Sequence, residues 1–164
     1  SPVKLGSAHP RNAPYQAFQA GDGYFAIAAG NHKLWLDVCR VVEMPELASD
    51  ARFLSTTDRA THQEALKQIL EEVFMRQPVA HWIDAFHAAG VPHARINDYA
   101  AALADPQTLH MDWVQPLQLP NGRQTRTFAS PIRLNGQGFP IRRAPPALGE
   151  HTEEIRRQFA EGDA

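Results

Sequence analysis

Nine aspartates, eight histidines and one cysteine are the side chains of this 164-residue sequence best able to attack, relay a proton or hold a metal. Most are accounted for by structure. Asp22 lies between Gly21 and Gly23 in a turn; Asp37 and Asp84 fall on helices; Asp50, Asp58, Asp98 and Asp105 precede or open helices, where a carboxylate caps free amides. Asp112 precedes a strand and Asp163 lies in the tail. His81 and His87 stand six apart on one predicted helix, on nearly opposite faces, with no second acidic or thiolate ligand at a usual spacing, so no metal is expected. Cys39 shares a helical face with Leu34, Trp35, Val38 and Val42 and reads as core filling rather than as a nucleophile. Gly21-x-Gly23-x-x-Ala26 matches a dinucleotide-binding fingerprint letter for letter, but that fingerprint needs a helix opening at its glycines, and Tyr24-Phe25-Ala26-Ile27 reads as strand. Neither a Gly-x-Ser-x-Gly elbow nor a phosphate-binding Gly-x-x-x-x-Gly-Lys-Ser/Thr loop occurs.

The elements that would position such groups are predicted to be short. Pro14–Ala20 and Tyr24–Ala29 flank Gly21-Asp22-Gly23 as a β-hairpin. Asn31 caps a helix to about Val42, stopped by Met44-Pro45. A longer helix opens between Thr56 and His62, where Thr61-x-x-Glu64 offers a capping box, and carries the stripe Leu66, Ile69, Leu70, Val73 and Phe74. Gln77-Pro78 breaks it; a second helix turns Val79, Trp82, Ile83 and Phe86 inward and ends at Gly90. Val91–Ile96 reads as a strand, Asn97 as the cap of a helix to Ala104, and Asp105-Pro106 as the start of one more turn. Trp113–Leu119 and Arg123–Phe128 pair around Pro120-Asn121-Gly122; residues 129–149 are extended and irregular; Thr152–Phe159 is a helix, and Glu161–Ala164 a frayed end.

Composition narrows the class. Apolar residues make 43 % of the chain, charged residues 21 %, and 16 basic against 18 acidic side chains leave a net charge of −2. That excludes a disordered chain, a collagen and a globally basic nucleic-acid binder, and basic residues do not interleave with an aromatic platform. No apolar run approaches the roughly 18 residues of a membrane span. A single cysteine and the lack of a leader-like opening lead to the expectation of a cytoplasmic setting. The chain opens at Ser1-Pro2, without methionine, which suggests a processed or tagged product or a piece of something longer. Charge is uneven: between Asp112 and Glu150 there is no acid, while Arg123, Arg126, Arg133, Arg142 and Arg143 give that stretch +5. Those arginines are expected to meet acids of this chain or a neighbour, or an anion such as a phosphorylated cofactor.

The sequence thus reads as an α+β chain, and its motifs go further. Gly6-Ser7-Ala8-His9-Pro10-Arg11-Asn12-Ala13-Pro14-Tyr15-Gln16, then Asp22-Gly23-Tyr24, Ala28-Ala29-Gly30-Asn31 and Leu34-Trp35 resemble the second half of family III CoA-transferases, the CaiB/BaiF family. Arg52-Phe53, Arg59, Gly90-Val91-Pro92, Asp105-Pro106-Gln107 and Ala144-Pro145-Pro146-Ala147-Leu148-Gly149-Glu150-His151-Thr152 follow in the family's order.

The resemblance implies the later part of a longer two-domain enzyme. Residues 1–76 would be a small-domain portion, 77–91 a linker helix, and 92–164 a segment that returns to complete an α/β large domain. Two such subunits interlock, so the partners implied are acyl-CoA, a carboxylic acid, and either an interlocked homodimer or the missing N-terminal half, with no nucleic acid and no membrane. Coenzyme A is the implied substrate group and no metal is implied. The chemistry would be CoA transfer through an aspartyl intermediate whose aspartate matches no residue of this chain, so no catalytic residue is assigned. Gly6, Ser7, Ala8, His9 and Pro10 correspond to a glycine-rich loop that closes over the active site; here one glycine remains, and His9 offers a side-chain contact to the acyl group instead. The alternatives are an acyl-CoA racemase or epimerase of the same fold and a non-catalytic CoA-binding or assembly module.

Overall fold

A computed structural model describes residues 4–160; the frayed end expected at Glu161–Ala164, with Asp163, lies outside the described residues. The chain divides into two units, residues 1–96 and 97–164.

The first unit opens with β1 (Tyr15–Ala20) and β2 (Gly23–Ala28), an antiparallel hairpin in which Phe18 pairs with Phe25 and Ala17 with Ala26. Then come α1 (His32–Val41), a 3₁₀ turn at Pro45–Ala48, α2 (Thr56–Thr61), α3 (Gln63–Phe74) and α4 (Val79–Ala89). Finally β3 (His93–Arg95) pairs with β2, giving the antiparallel order β1-β2-β3.

Period-two alternation puts Phe18, Ala20, Phe25 and Ile27 into the core. Phe74, at the end of α3, is the hub: its ring meets Phe25 at 5.0 Å, Phe18 at 5.4 Å and Trp82 at 5.0 Å, all edge to face, an arrangement the ring quadrupoles favour. Trp82 Nε1 also donates to the Phe74 carbonyl at 2.9 Å, so this buried indole N–H is satisfied. The opposite face of the sheet presents Ala17, Ala26, Ala28 and Ala94.

Local chemistry sets most boundaries as expected. Asn31 Oδ1 accepts the Leu34 amide at 2.9 Å and caps α1, and Gly90, at φ +69°, closes α4. Two caps lie elsewhere than the sequence suggested. The capping box is Ser55 with Asp58, at the start of α2; Thr61 is the last residue of that helix, its hydroxyl turned back to the Thr57 carbonyl, and α3 opens after His62 with no side-chain cap. In the second unit Asp98, not Asn97, caps α5 (Tyr99–Ala104), its carboxylate accepting the Ala101 amide at 2.7 Å. The strand expected over Val91–Ile96 shortens to β3, because Val91 N donates to the Phe86 carbonyl to close the preceding helix.

The second unit continues with α6 (Pro106–His110), capped by Asp105, and the hairpin β4 (Val114–Gln118) with β5 (Gln124–Phe128). Within the stretch expected to be irregular, β6 (Arg133–Leu134) and β7 (Gln137–Gly138) pair around Asn135-Gly136, both at positive φ, the dipeptide that a tight hairpin turn prefers. Then α7 (Thr152–Ala160) follows. No residue from 97 to 160 is buried.

Candidate active-site loop

Gly6–Pro10 is tied to the outer edge of β1, whose other edge pairs with β2. Gly6 takes φ +60°, open to left-handed backbone without strain, and lets the Ala8 amide close a turn onto the Leu5 carbonyl at 3.0 Å. Ser7 Oγ then accepts the Ala17 amide at 3.1 Å, and His9 N donates to the Tyr15 carbonyl at 2.9 Å. Further along the same edge, Glu71 of α3 accepts the Gln19 amide at 2.9 Å. An edge that would otherwise offer a row of unpaired groups is thereby covered by two side chains and the His9 amide. His9 Nδ1 accepts the amides of Arg11 and Asn12, each at 3.1 Å, and its ring stacks on Tyr15 with centroids 5.1 Å apart.

Two hollows flank this segment. One, of about 320 Å³, lies on the alanine face of the sheet, where Tyr15, Ala17, Ala26 and Ile96 meet Ser7. The other, of about 430 Å³, runs from Leu5, Gly6 and Ser7 past Tyr24 to Lys67 and Glu71. One hollow is almost wholly apolar and the other carries charge, so the loop is the divide between two chemically distinct surfaces.

The base of the loop rests on Arg59, fully buried. Its Nε donates to the Ala13 carbonyl and Nη1 to the Phe53 carbonyl, both at 2.9 Å, Nη2 to Thr56 Oγ1 at 3.2 Å, and its guanidinium lies 5.3 Å from the Trp35 ring centre. Burial, with no carboxylate bonded to it, draws the guanidinium below its ordinary pKa. No local sequence signal marks this role, because the two carbonyls it holds sit 46 and 6 residues away.

The remaining chemical candidates serve the fold. Asp22 Oδ1 accepts the Val79 amide at 2.7 Å, capping α4 from a distance of 57 residues. Gly21 donates to the Gln77 carbonyl, and a Cβ there would come within 3.1 Å of the Gln77 and Met75 carbonyl oxygens, so its glycine answers a close approach of backbones and not a pyrophosphate. Asp37 is buried and takes hydrogen bonds from Lys33 and Arg40, which hold its carboxyl below the usual range. Hydrogen bonds from Arg52 hold Asp50 at about 2, and those from Ser55 hold Asp58 low. Burial pushes the Cys39 thiol up to about 11, which removes the thiolate a nucleophile needs. Among the described residues no three His, Cys, Asp or Glu side chains gather as metal ligands, and no helix is long and apolar enough to cross a membrane. Among them, too, none of Arg123, Arg126, Arg133, Arg142 and Arg143 pairs with a carboxylate; Arg133 donates to the Met111 carbonyl.

The sequence model of CoA-transferase family III matches residues 1–152. The chain belongs to this family. It is 36 % identical over 165 residues to acetyl-CoA:oxalate CoA-transferase of Acetobacter aceti, covering all of this chain and 41 % of that protein. Succinyl-CoA:glutarate CoA-transferase of Homo sapiens is 31 % identical over 98 % of this chain and 36 % of its own length. Among solved structures, a CaiB/BaiF family protein from Brucella suis superimposes with a TM-score of 0.72 at 32 % identity, over 96 % of this chain and 40 % of that one. The chain therefore spans about two fifths of the length of these relatives. The α+β class read from the sequence holds in this family context.

Proposed function

We propose that this chain is the later part of an acyl-CoA:carboxylate CoA-transferase, with residues 1–76 a small-domain portion, 77–91 a linker helix and 92–164 a segment that completes an α/β large domain. The observation that carries the reading is the match of nearly the whole chain to proteins named for CoA transfer between carboxylic acids. The acids in those names, oxalate and glutarate, favour a dicarboxylic acid as acceptor here.

In this reading an aspartate carboxylate outside the chain attacks the donor thioester, giving a mixed anhydride and the CoA thiolate. The thiolate attacks the aspartyl carbonyl, releases the donor acid as its carboxylate and leaves an aspartyl thioester. The acceptor carboxylate then attacks that thioester and the sequence runs in reverse, so one difficult exchange becomes several easier ones. Six aspartates support the external assignment by being engaged: Asp22, Asp98 and Asp105 in helix caps, Asp58 in a capping box, and Asp37 and Asp50 with cations. Gly6–Pro10 serves as the loop that closes over the intermediate and keeps water from it. Residues 97–160, none of them fully buried, and the exposed Phe128, Ile132 and Leu134 suit a segment that packs on the rest of an interlocked homodimer.

Incubating the whole protein with an acyl-CoA and a set of dicarboxylic acids should give steady exchange of CoA, and the 164-residue chain alone should give none. Turnover by the chain alone, or no exchange by the whole protein with any pair, would refute the proposal.

A further inference from the structure

One contact in the loop fixes the chemical state of a side chain. A backbone amide has only its hydrogen to offer, so His9 Nδ1, which accepts from both Arg11 and Asn12 at 3.1 Å, must present its lone pair. A neutral imidazole then carries its proton on Nε2. The ring lies on Tyr15 with an angle of 16° between the planes; turning it over would keep that stack but put a carbon where Nδ1 accepts, so the paired amide contacts are what fix its orientation. Among the described residues no hydrogen bond uses Nε2.

The same turn is built a second time in this chain from ordinary parts. Asp105 Oδ1 accepts the amides two and three residues on, from Gln107 at 2.9 Å and Thr108 at 3.2 Å. His9 and Asp105 each precede a proline, which holds the preceding residue out of the helical region and leaves its side chain free to turn forward. At position 9 an imidazole thus does the work of an aspartate or asparagine. It adds a ring N–H on the side away from the turn, a donor that aspartate lacks and that asparagine holds only beside its acceptor oxygen.

We infer that His9 is a positioning residue held in its Nε2–H form: Nδ1 latches the turn that carries Gly6–Pro10, and the ring can meet a ligand only as a hydrogen-bond donor. The carbonyl oxygen of an acyl thioester, or a free carboxylate on its acyl group, is what it fits, while the lone pair a base would need is taken up by the turn. The ligand class rests on reading Gly6–Pro10 as the active-site loop.

Nitrogen-15 NMR of the histidine rings in this chain at neutral pH reads the tautomer directly, and amide exchange in two variants reads the latch. His9→Asn puts an acceptor oxygen near the place of Nδ1, whereas His9→Gln extends an amide toward the place of Nε2 and leaves the turn without its acceptor. Expected are an unprotonated Nδ1 with a protonated Nε2, wild-type exchange at Arg11 and Asn12 in His9→Asn, and exchange about fivefold to tenfold faster there in His9→Gln. Slow exchange at Trp35 and Val38 in all three proteins verifies the fold. A proton on Nδ1 in the wild type, or unchanged protection of Arg11 and Asn12 in His9→Gln, would overturn the inference. These readouts need no activity: a whole protein without CoA exchange would sink the proposed function and leave the role of His9 standing.

Discussion

Replacing Arg59 by methionine removes the guanidinium and keeps most of the stem's volume. The carbonyls of Ala13 and Phe53 then stay buried without the donors that meet them at 2.9 Å. An orphaned buried acceptor costs about 1–3 kcal/mol, so two cost about 2–6 kcal/mol. Part of this returns, because a buried cation with no carboxylate bonded to it no longer has to be desolvated. A net loss of about 2–4 kcal/mol is expected for Arg59→Met, and Arg59→Ala should lose about 1–2 kcal/mol more for the cavity it leaves. Urea unfolding followed by tryptophan fluorescence reports on this region through Trp35, which lies against the guanidinium. With a slope of about 1–3 kcal/mol per molar urea, the midpoint should fall by about 1 M or more while the slope stays constant. Arg59→Met within about 0.5 kcal/mol of wild type would refute the reasoning, since desolvation would then cancel the hydrogen bonds.

Asp22→Ala should destabilise the first unit by about 1 kcal/mol and speed amide exchange at Val79, as loss of a helix cap does; unchanged exchange at Val79 would deny Asp22 that role. Cys39, with its thiol pushed up to about 11, should resist an aromatic disulfide reagent at pH 8 and react once urea unfolds the chain; rapid reaction of the native chain would contradict its burial. Phe128, Ile132, Leu134, Phe139, Leu148 and Phe159 are all exposed, and covering three of them is worth about 1.5–3 kcal/mol each, more than surface ion pairs supply. Sedimentation of the 164-residue chain at micromolar concentration should therefore show self-association, and a single monomeric species would count against it.

What the sequence made legible was local. Asn31 caps its own helix, Gly90 ends its own helix, and the Leu66, Leu70, Val73 and Phe74 stripe needs only helical geometry to find the core. Several residues of capping type near each helix start blurred the caps, so Ser55 holds the box expected at Thr61 and Asp98 the cap expected at Asn97, and the prolines around Asn135-Gly136 hid a two-residue hairpin that the dipeptide itself signals. The candidate site was reached by motif resemblance, because the bonds that build it join distant residues. Ser7 reaches Ala17 ten residues on and Arg59 reaches Ala13 across 46; outside the site, Asp22 likewise reaches Val79 across 57 to cap α4. A single sequence carries no period or spacing from which such pairs can be read. His9 is intermediate: its turn is local, yet a histidine doing the work of an asparagine is not a pattern that residue preferences suggest.

The central claim is that the carboxylate carrying the acyl group lies outside these 164 residues. Incubating the whole protein with an acyl-CoA, trapping the activated carboxylate with hydroxylamine and locating the resulting hydroxamate by peptide mass spectrometry tests it directly. The account predicts one modified aspartate, in a peptide that is not part of this chain. A hydroxamate on any of the nine aspartates between Asp22 and Asp163 would contradict it.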